Sequence, residues 1–203
     1  MSVNEDYGPL TQLIGSWYGD SGLDIAPTPI DADQSNIDTA GNGEEQNPFY
    51  ETLVFTPVGE VVNAESQSLM ALHYRKQVSR KSTQLVFHDE SGYWLYDRQT
   101  QAILQSFSIP RGVCVLARGH YRHPSEQTTN ASSLLIEVSA LREQQEIIES
   151  SFLKMHAQTL SFTHQIKLNE NSLYYQHTTL LEIYQRRFHH LDENTLTRQQ
   201  TTT

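Results

Sequence analysis

From Tyr50 onward the chain is a succession of short runs rich in β-branched and aromatic residues, each ended by polar or glycine-containing turns. The runs are Tyr50–Thr56, Leu69–Lys76, Gln84–His88, Tyr93–Asp97, Ala102–Ile109, Val113–Tyr121, Leu134–Leu141, Thr159–Leu168 and Leu173–Gln185, with Ile147–Phe152 a shorter candidate. Alternation of apolar and polar side chains at period two marks strands with one buried face. No long segment has a clean helical period, and only 143–156 is ambiguous. A turn at Asp89-Glu90-Ser91-Gly92 is expected to separate two of the strands. About ten antiparallel strands in succession, joined mainly by short turns, predict an all-β fold. A ten-stranded antiparallel up-and-down β-barrel is favoured over a sandwich, because closure removes edge strands and can enclose one small ligand.

Ahead of that series, Pro9–Ile14 reads as one helical turn, and Gly15-Ser16-Trp17-Tyr18-Gly19 opens the first strand. Residues 26–48 hold Pro27, Pro29, Pro48, Gly41, Gly43 and five acidic residues with almost no large apolar side chains, which predicts an exposed, flexible acidic loop. The end, 199–203, reads as a frayed tail. At 203 residues the whole chain, 1–203, is expected to form a single domain.

Charge narrows the function. Twelve Asp and Glu residues precede the first basic residue, Arg75, so the net charge of −10 resides in the N-terminal third. Only Arg75, Lys76, Arg80 and Lys81 cluster, too few for the phosphate neutralisation on which nucleic-acid binding depends. No apolar stretch approaches the ~20 residues of a membrane span. The first residues lack the basic and apolar regions of a signal peptide. Cys114 is alone, which excludes an internal disulfide and predicts a reducing, cytoplasmic setting. GxSxG, HExxH, P-loop and GxGxxG motifs are absent.

With nine histidines and one cysteine, imidazole is the main source of coordination chemistry. His88 shares a strand face with Val86, while Leu85 and Phe87 take the other; it projects into a cavity if its face is the inner one, and is an ordinary strand histidine if not. Near the end, Arg186-Arg187-Phe188-His189-His190-Leu191-Asp192 follows a long strand. Asp192 could cap a short final helix through Arg198, placing His190 at a barrel mouth; a solvated His189–His190 pair is the competing reading. Trp17 between two glycines suits a plug for the closed end of a barrel.

Taken in order, these segments resemble the nitrobindin-like haem-binding β-barrels, relatives in shape of lipocalins and fatty-acid-binding proteins. Gly15-Ser16-Trp17-Tyr18-Gly19 is similar to the family's GxWxG, and His88-Asp89-Glu90-Ser91-Gly92-Tyr93 to its H-x-E-x-G-Y hairpin. Tyr50–Phe55, Leu72–Lys76, Pro110–Val113, Gly119–Tyr121 and Leu173–Thr179 follow the same order. The chain departs from the pattern at Gly19-Asp20-Ser21-Gly22, where a glycine is displaced, in the longer acidic loop, and at His177, Thr178 and Thr179, which are polar. The resemblance implies a barrel holding haem b. His190 is implied as the iron ligand, with His189 the alternative one position away, and His88 lies on the distal side. Arg111 and Thr179 join them as cofactor-binding candidates, and Arg186 and Arg187 as further propionate partners. It also implies nitric oxide binding or isomerisation of peroxynitrite to nitrate at ferric haem. The competing functions are a carrier for a small hydrophobic ligand such as a fatty acid, and a barrel serving only as an interaction domain.

Overall fold

A computed structural model describes residues 6–29, 43–123 and 133–200. It contains eleven strands: β1 (Gly15–Pro27), β2 (Glu44–Asn63), β3 (Gln67–Arg80), β4 (Val86–Asp97), β5 (Ile103–Ile109), β6 (Val113–Arg122), β7 (Leu134–Leu141), β8 (Ile147–Glu149), β9 (Ala157–Asn169), β10 (Ser172–Ile183) and β11 (Arg186–Arg198). One short helix, α1 (Ser151–His156), precedes β9, and 3-10 turns occupy Gly8–Leu13 and Arg142–Gln144. The sheet runs β5-β4-β3-β2-β1-β11-β10-β9-β7-β6 and closes through β5–β6. The result is a closed ten-stranded antiparallel barrel, as the strand pattern predicts. β8 pairs with β6 at Val113–Val115 and carries on the line of β7 along that neighbour. Among the described residues no helix is long and apolar enough to cross a membrane.

Inward-facing side chains change character along the barrel axis. At one end Leu72 of β3, Trp94 of β4, Leu168 of β9, Leu173 of β10 and Leu196 of β11 are fully buried with Leu10 and Leu13 of the first 3-10 turn. Trp17 plugs this end, with no exposed surface. Its indole Nε1 donates to Leu13 O at 2.8 Å. Arg198 stacks on its ring at 4.2 Å and donates to Ile14 O and Gln12 O, each at 2.6 Å. A single guanidinium thereby fastens the last strand to the first turn.

Four local expectations are corrected. Asp89–Gly92 is not a turn but the middle of β4. Asp89 is drawn to β3, where Arg75 and Gln77 donate to it at 2.7 and 3.0 Å, and Glu90 points inward. Gly92 marks a close approach of strands, since a Cβ there would stand 1.9 Å from Ser106 O. Secondly, the pairing of β3 with β4 slips between Val78–His88 and Ser79–Val86, so Phe87 is an extra residue. That bulge lets Phe87 and His88 both line the interior, while Val86 is exposed.

Thirdly, 192–198 is strand, not helix: β11 pairs along its length with β10 and, at 191–193 and 197–198, with β1. The reversal before it is a two-residue hairpin at Tyr184 and Gln185, with φ of 53° and 62°. Such turns need positive φ at both positions and usually carry Asn or Gly, so nothing in Tyr-Gln announces this one. Fourthly, strands enter both ends of the 26–48 segment, with Ala26 paired to Glu45 and Pro27 to Glu44. Residues 30–42 lie outside those described, as do 201–203 of the tail, whereas Gln199 N donates to Ser16 O at 2.8 Å.

Removing the plug should cost the barrel much of its stability. Trp17→Ala is expected to lower the free energy of unfolding by about 3–5 kcal/mol, the range for deleting a buried aromatic side chain. Chemical denaturation followed by circular dichroism measures it; a loss under about 1 kcal/mol would show that the floor is held elsewhere.

Candidate functional site

Above the apolar floor lies a storey of buried polar groups. Glu51 accepts from the Tyr175 hydroxyl at 2.6 Å and from Asn194 Nδ2 at 3.0 Å. The Tyr74 hydroxyl donates to Glu90 at 2.5 Å and accepts from Gln105 Nε2 at 2.8 Å. Gln105 Oε1 in turn faces His164 Nδ1 at 2.8 Å. An amide oxygen only accepts, so His164 carries its proton on Nδ1, and its Nε2 has no partner. Lys76 lies opposite Glu90 in the β3–β4 register, with its Nζ 4.3 Å above the Tyr175 ring.

Two carboxylates, one ammonium and two imidazoles in this storey divide their charges. Burial dominates at Glu51 and raises its pKa despite the Lys76 charge. At Glu90 burial opposes ionisation as well, but the His88 hydrogen bond and the Lys76 charge prevail and hold its pKa below the ordinary carboxylate range. Burial, reinforced by Lys76, depresses His164 to about 3. His177 is pushed well down by burial first and by the neighbouring His164 and Lys76 next. Both histidines are therefore neutral at pH 7.

The other end of the barrel opens into a cavity of about 350 Å³. Its far wall is apolar, formed among others by Phe107 and Ile109 of β5 and Val113 and Val115 of β6, while Phe162 of β9 lines it beside Thr179. β11 and β5 are diametrically placed in the ring, so His190 faces this wall. The strand alternation decides between the paired histidines: His190 is turned inward, whereas His189 is exposed on the outer face and does not line the cavity. Thr179 pairs with His190 and lines the cavity beside it. Thr178, one residue away, does not. His88, on β4, stands nearly opposite His190, with its Nε2 3.4 Å from Glu90. Arg80 and Arg111 also line the cavity, and Arg111 reaches across to donate to Phe87 O at 3.1 Å. Arg186 is engaged with the backbone of Thr28 and Gly43, and Arg187 is exposed.

His190 does not stand alone. Its Nε2 lies 2.6 Å from Asp24 Oδ1 and 3.8 Å from Asp192 Oδ2. Burial acts to lower its pKa, but the hydrogen bond with Asp24 and the charges of Asp192 and Asp24 outweigh burial and raise it. The grouping comes from one transverse row of the barrel: His164 pairs with His177, His177 with Asp192, Asp192 with Asp24, and Asp24 with Asn47. Strict alternation from Trp17 would turn Asp24 outward. The β1 register slips between Gly19 and Gly22, and the extra residue reverses the parity. The displaced glycine of Gly19-Asp20-Ser21-Gly22 is the sequence trace of that bulge, and it is the one signal that could have found Asp24. Lys76, His164 and Glu51 sit at inward positions of alternating strands, whereas Glu90 lies in the stretch whose composition suggests a turn.

The family model of the THAP4-like, heme-binding beta-barrel domain matches residues 6–198. The chain belongs to this haem-binding family. Haem is thus the cofactor of its kind, as the sequence resemblance implied. Among solved structures, Rv2717c from M. tuberculosis is similar, with a TM-score of 0.62 and 17% identity over 94% of this chain and 95% of that one. At that identity the likeness speaks for the fold alone. No curated protein sequence matches the chain.

The residues of this family member fit the group. An apolar wall faces an inward imidazole across a cavity within the usual range for cofactor sites, and two guanidinium groups at the same cavity suit a pair of propionates. The acidic Asp24 and Asp192 lie beside the imidazole and leave that apolar wall intact.

The neutral histidines below predict an acid response. His164 has a folded pKa of about 3 against an ordinary value of 6.5, so the unfolded chain takes up a proton that the fold refuses. Its contribution to stability is complete above about 6.5 and is lost as pH falls from there towards 3. Denaturation of the haem-free protein should show stability declining across that window, with a shallower slope in His164→Gln. An unchanged slope would mean that His164 titrates normally in the fold.

Proposed function

We propose that this barrel binds one haem b through His190 and that its ferric haem handles small nitrogen oxides, binding nitric oxide or isomerising peroxynitrite to nitrate. The observation that carries the reading is the inward imidazole of His190, set across the cavity from an apolar wall in a chain of a haem-binding family. When bound, haem would supply an iron centre able to take up a small oxidant.

The chain's own residues do the rest. His190 would hold the iron through an imidazole nitrogen, with Thr179 beside it as part of the lining. Phe107, Ile109 and Phe162 exclude water from the macrocycle's face, and Arg80 and Arg111 meet the carboxylates. His88 provides a polar group on the distal side, oriented by Glu90. Its nitrogen can hold a hydrogen bond to an oxygen atom of the reacting ligand, and this is the lever by which distal polarity selects among diatomic gases and peroxynitrite. The single cysteine, Cys114, suits a reducing cytoplasm.

Haemin titration followed by absorbance tests the reading. One haem per chain with a sharp Soret band is expected, lost or strongly weakened in His190→Ala and retained in His189→Ala. A flat titration of the unaltered protein, or saturation by a fatty acid in place of haem, would refute it. With the haem form in hand, stopped-flow mixing with peroxynitrite should show faster decay to nitrate than free haemin gives, and His88→Leu should slow that decay without abolishing haem binding.

A further inference from the structure

The carboxylate beside His190 is built into the wall as firmly as the histidine itself. Asp24 is only 3% exposed. Its Oδ1 meets His190 Nε2 at 2.6 Å, and its Oδ2 accepts from Asn47 Nδ2 at 3.2 Å. Asn47 is held in turn by the Arg80 guanidinium on its Oδ1. Both oxygens of Asp24 are thus oriented, one by the imidazole and one through a neighbour that is itself anchored. Asp192 touches the same nitrogen only at 3.8 Å and is a quarter exposed.

An imidazole has two nitrogens. When one is bonded to a buried carboxylate, the ring's tautomer and orientation are fixed and the other nitrogen becomes a stronger electron donor. A more strongly donating, partly anionic ligand favours the higher charge on a metal, because Fe(III) gains more from it than Fe(II) does. Resting on the reading of His190 as axial ligand, we propose that Asp24 is its positioning residue: it fixes the imidazole and gives it imidazolate character, so that haem in this barrel is held in the ferric state. The same constraint explains why a bulge in β1 is worth its disruption of two strand pairings, since only the bulge brings Asp24 to the inner face. Asn47 and Arg80 belong to the same arrangement.

Reductive titration of the haem-loaded protein, with the unaltered chain, Asp24→Asn and Asp192→Asn side by side, reads this directly. Asp24→Asn should still take up one haem per chain, but its ferric–ferrous equilibrium should move about tenfold towards ferrous, a rise of about 59 mV for a one-electron couple. The iron–histidine stretching band of its ferrous form should fall in frequency, and Asp192→Asn should move both readings less. A merely structural Asp24 would alter stability and leave both readings in place; that result overturns the proposal while His190 remains the ligand. If Asp24→Asn does not fold, the unaltered ferrous protein decides. A stretching band in the range of carboxylate-bonded histidines supports the role, and one in the range of carbonyl-bonded histidines removes it. Failure of the unaltered protein to take up haem would refute the axial assignment of His190 instead, so the two ideas fall separately.

Discussion

Closure of the ring between β5 and β6 is the constraint on which the rest depends. Once those strands pair, every ring strand has two neighbours, and no ring edge is left to recruit another chain. The interior then becomes a fixed volume that the alternating side chains must fill, line or leave open. Large apolar residues fill one end, where Trp17 and the 3-10 turn seal it. At the other end the inward residues stop short of one another, and the gap is the cavity. The site is thus what closure leaves over when the floor is packed at one end only.

Between floor and cavity, the polar storey is an expensive choice that needs its bonds. Burying a carboxylate or ammonium without partners costs several kcal/mol, and removing one member of a buried network strands the others. The barrel meets this by sharing: burial raises the pKa of Glu51, which Tyr175 and Asn194 hold, whereas Glu90 lies opposite Lys76 with its pKa held below the ordinary carboxylate range. His164 and His177 remain neutral and stack edge to face with ring centroids 3.9 Å apart. A storey so cross-bonded is rigid. It links His88 at the cavity wall through Glu90, Tyr74 and Gln105 to His164, five residues drawn from four different strands. The cavity-wall and central groups are therefore tied to one another by the strand register.

Period-two alternation made the barrel readable. It failed wherever the count of residues slipped by one. The bulge at Phe87 brought that residue to the inner face beside His88, and the bulge between Gly19 and Gly22 turned Asp24 from outside to inside. Turn chemistry failed in the opposite sense: Asp89-Glu90-Ser91-Gly92 has the composition of a turn yet lies mid-strand. Its glycine serves the approach of β5, while Tyr184-Gln185 turns with no glycine at all. In each case the pairing between strands overrode the local preference, and a single sequence carries no record of that pairing.

The final strand shows why the site, unlike the fold, needed three dimensions. His189 and His190 are chemically equivalent in sequence, and a final helix would have given them different neighbours again. What separates them is the unbroken pairing of β11 with β10, which sets Leu180 opposite His189 and Thr179 opposite His190 and commits the two histidines to opposite faces. Two residues further on, β11 lies between β10 and β1, which sets Asp192 between His177 and Asp24. A cation-binding group thus meets two carboxylates, one buried and one half-buried, on a wall whose opposite side is apolar. That asymmetry gives the cavity a direction: its imidazole and carboxylates lie on the β1–β11 side, and the apolar residues of β5 and β6 face them.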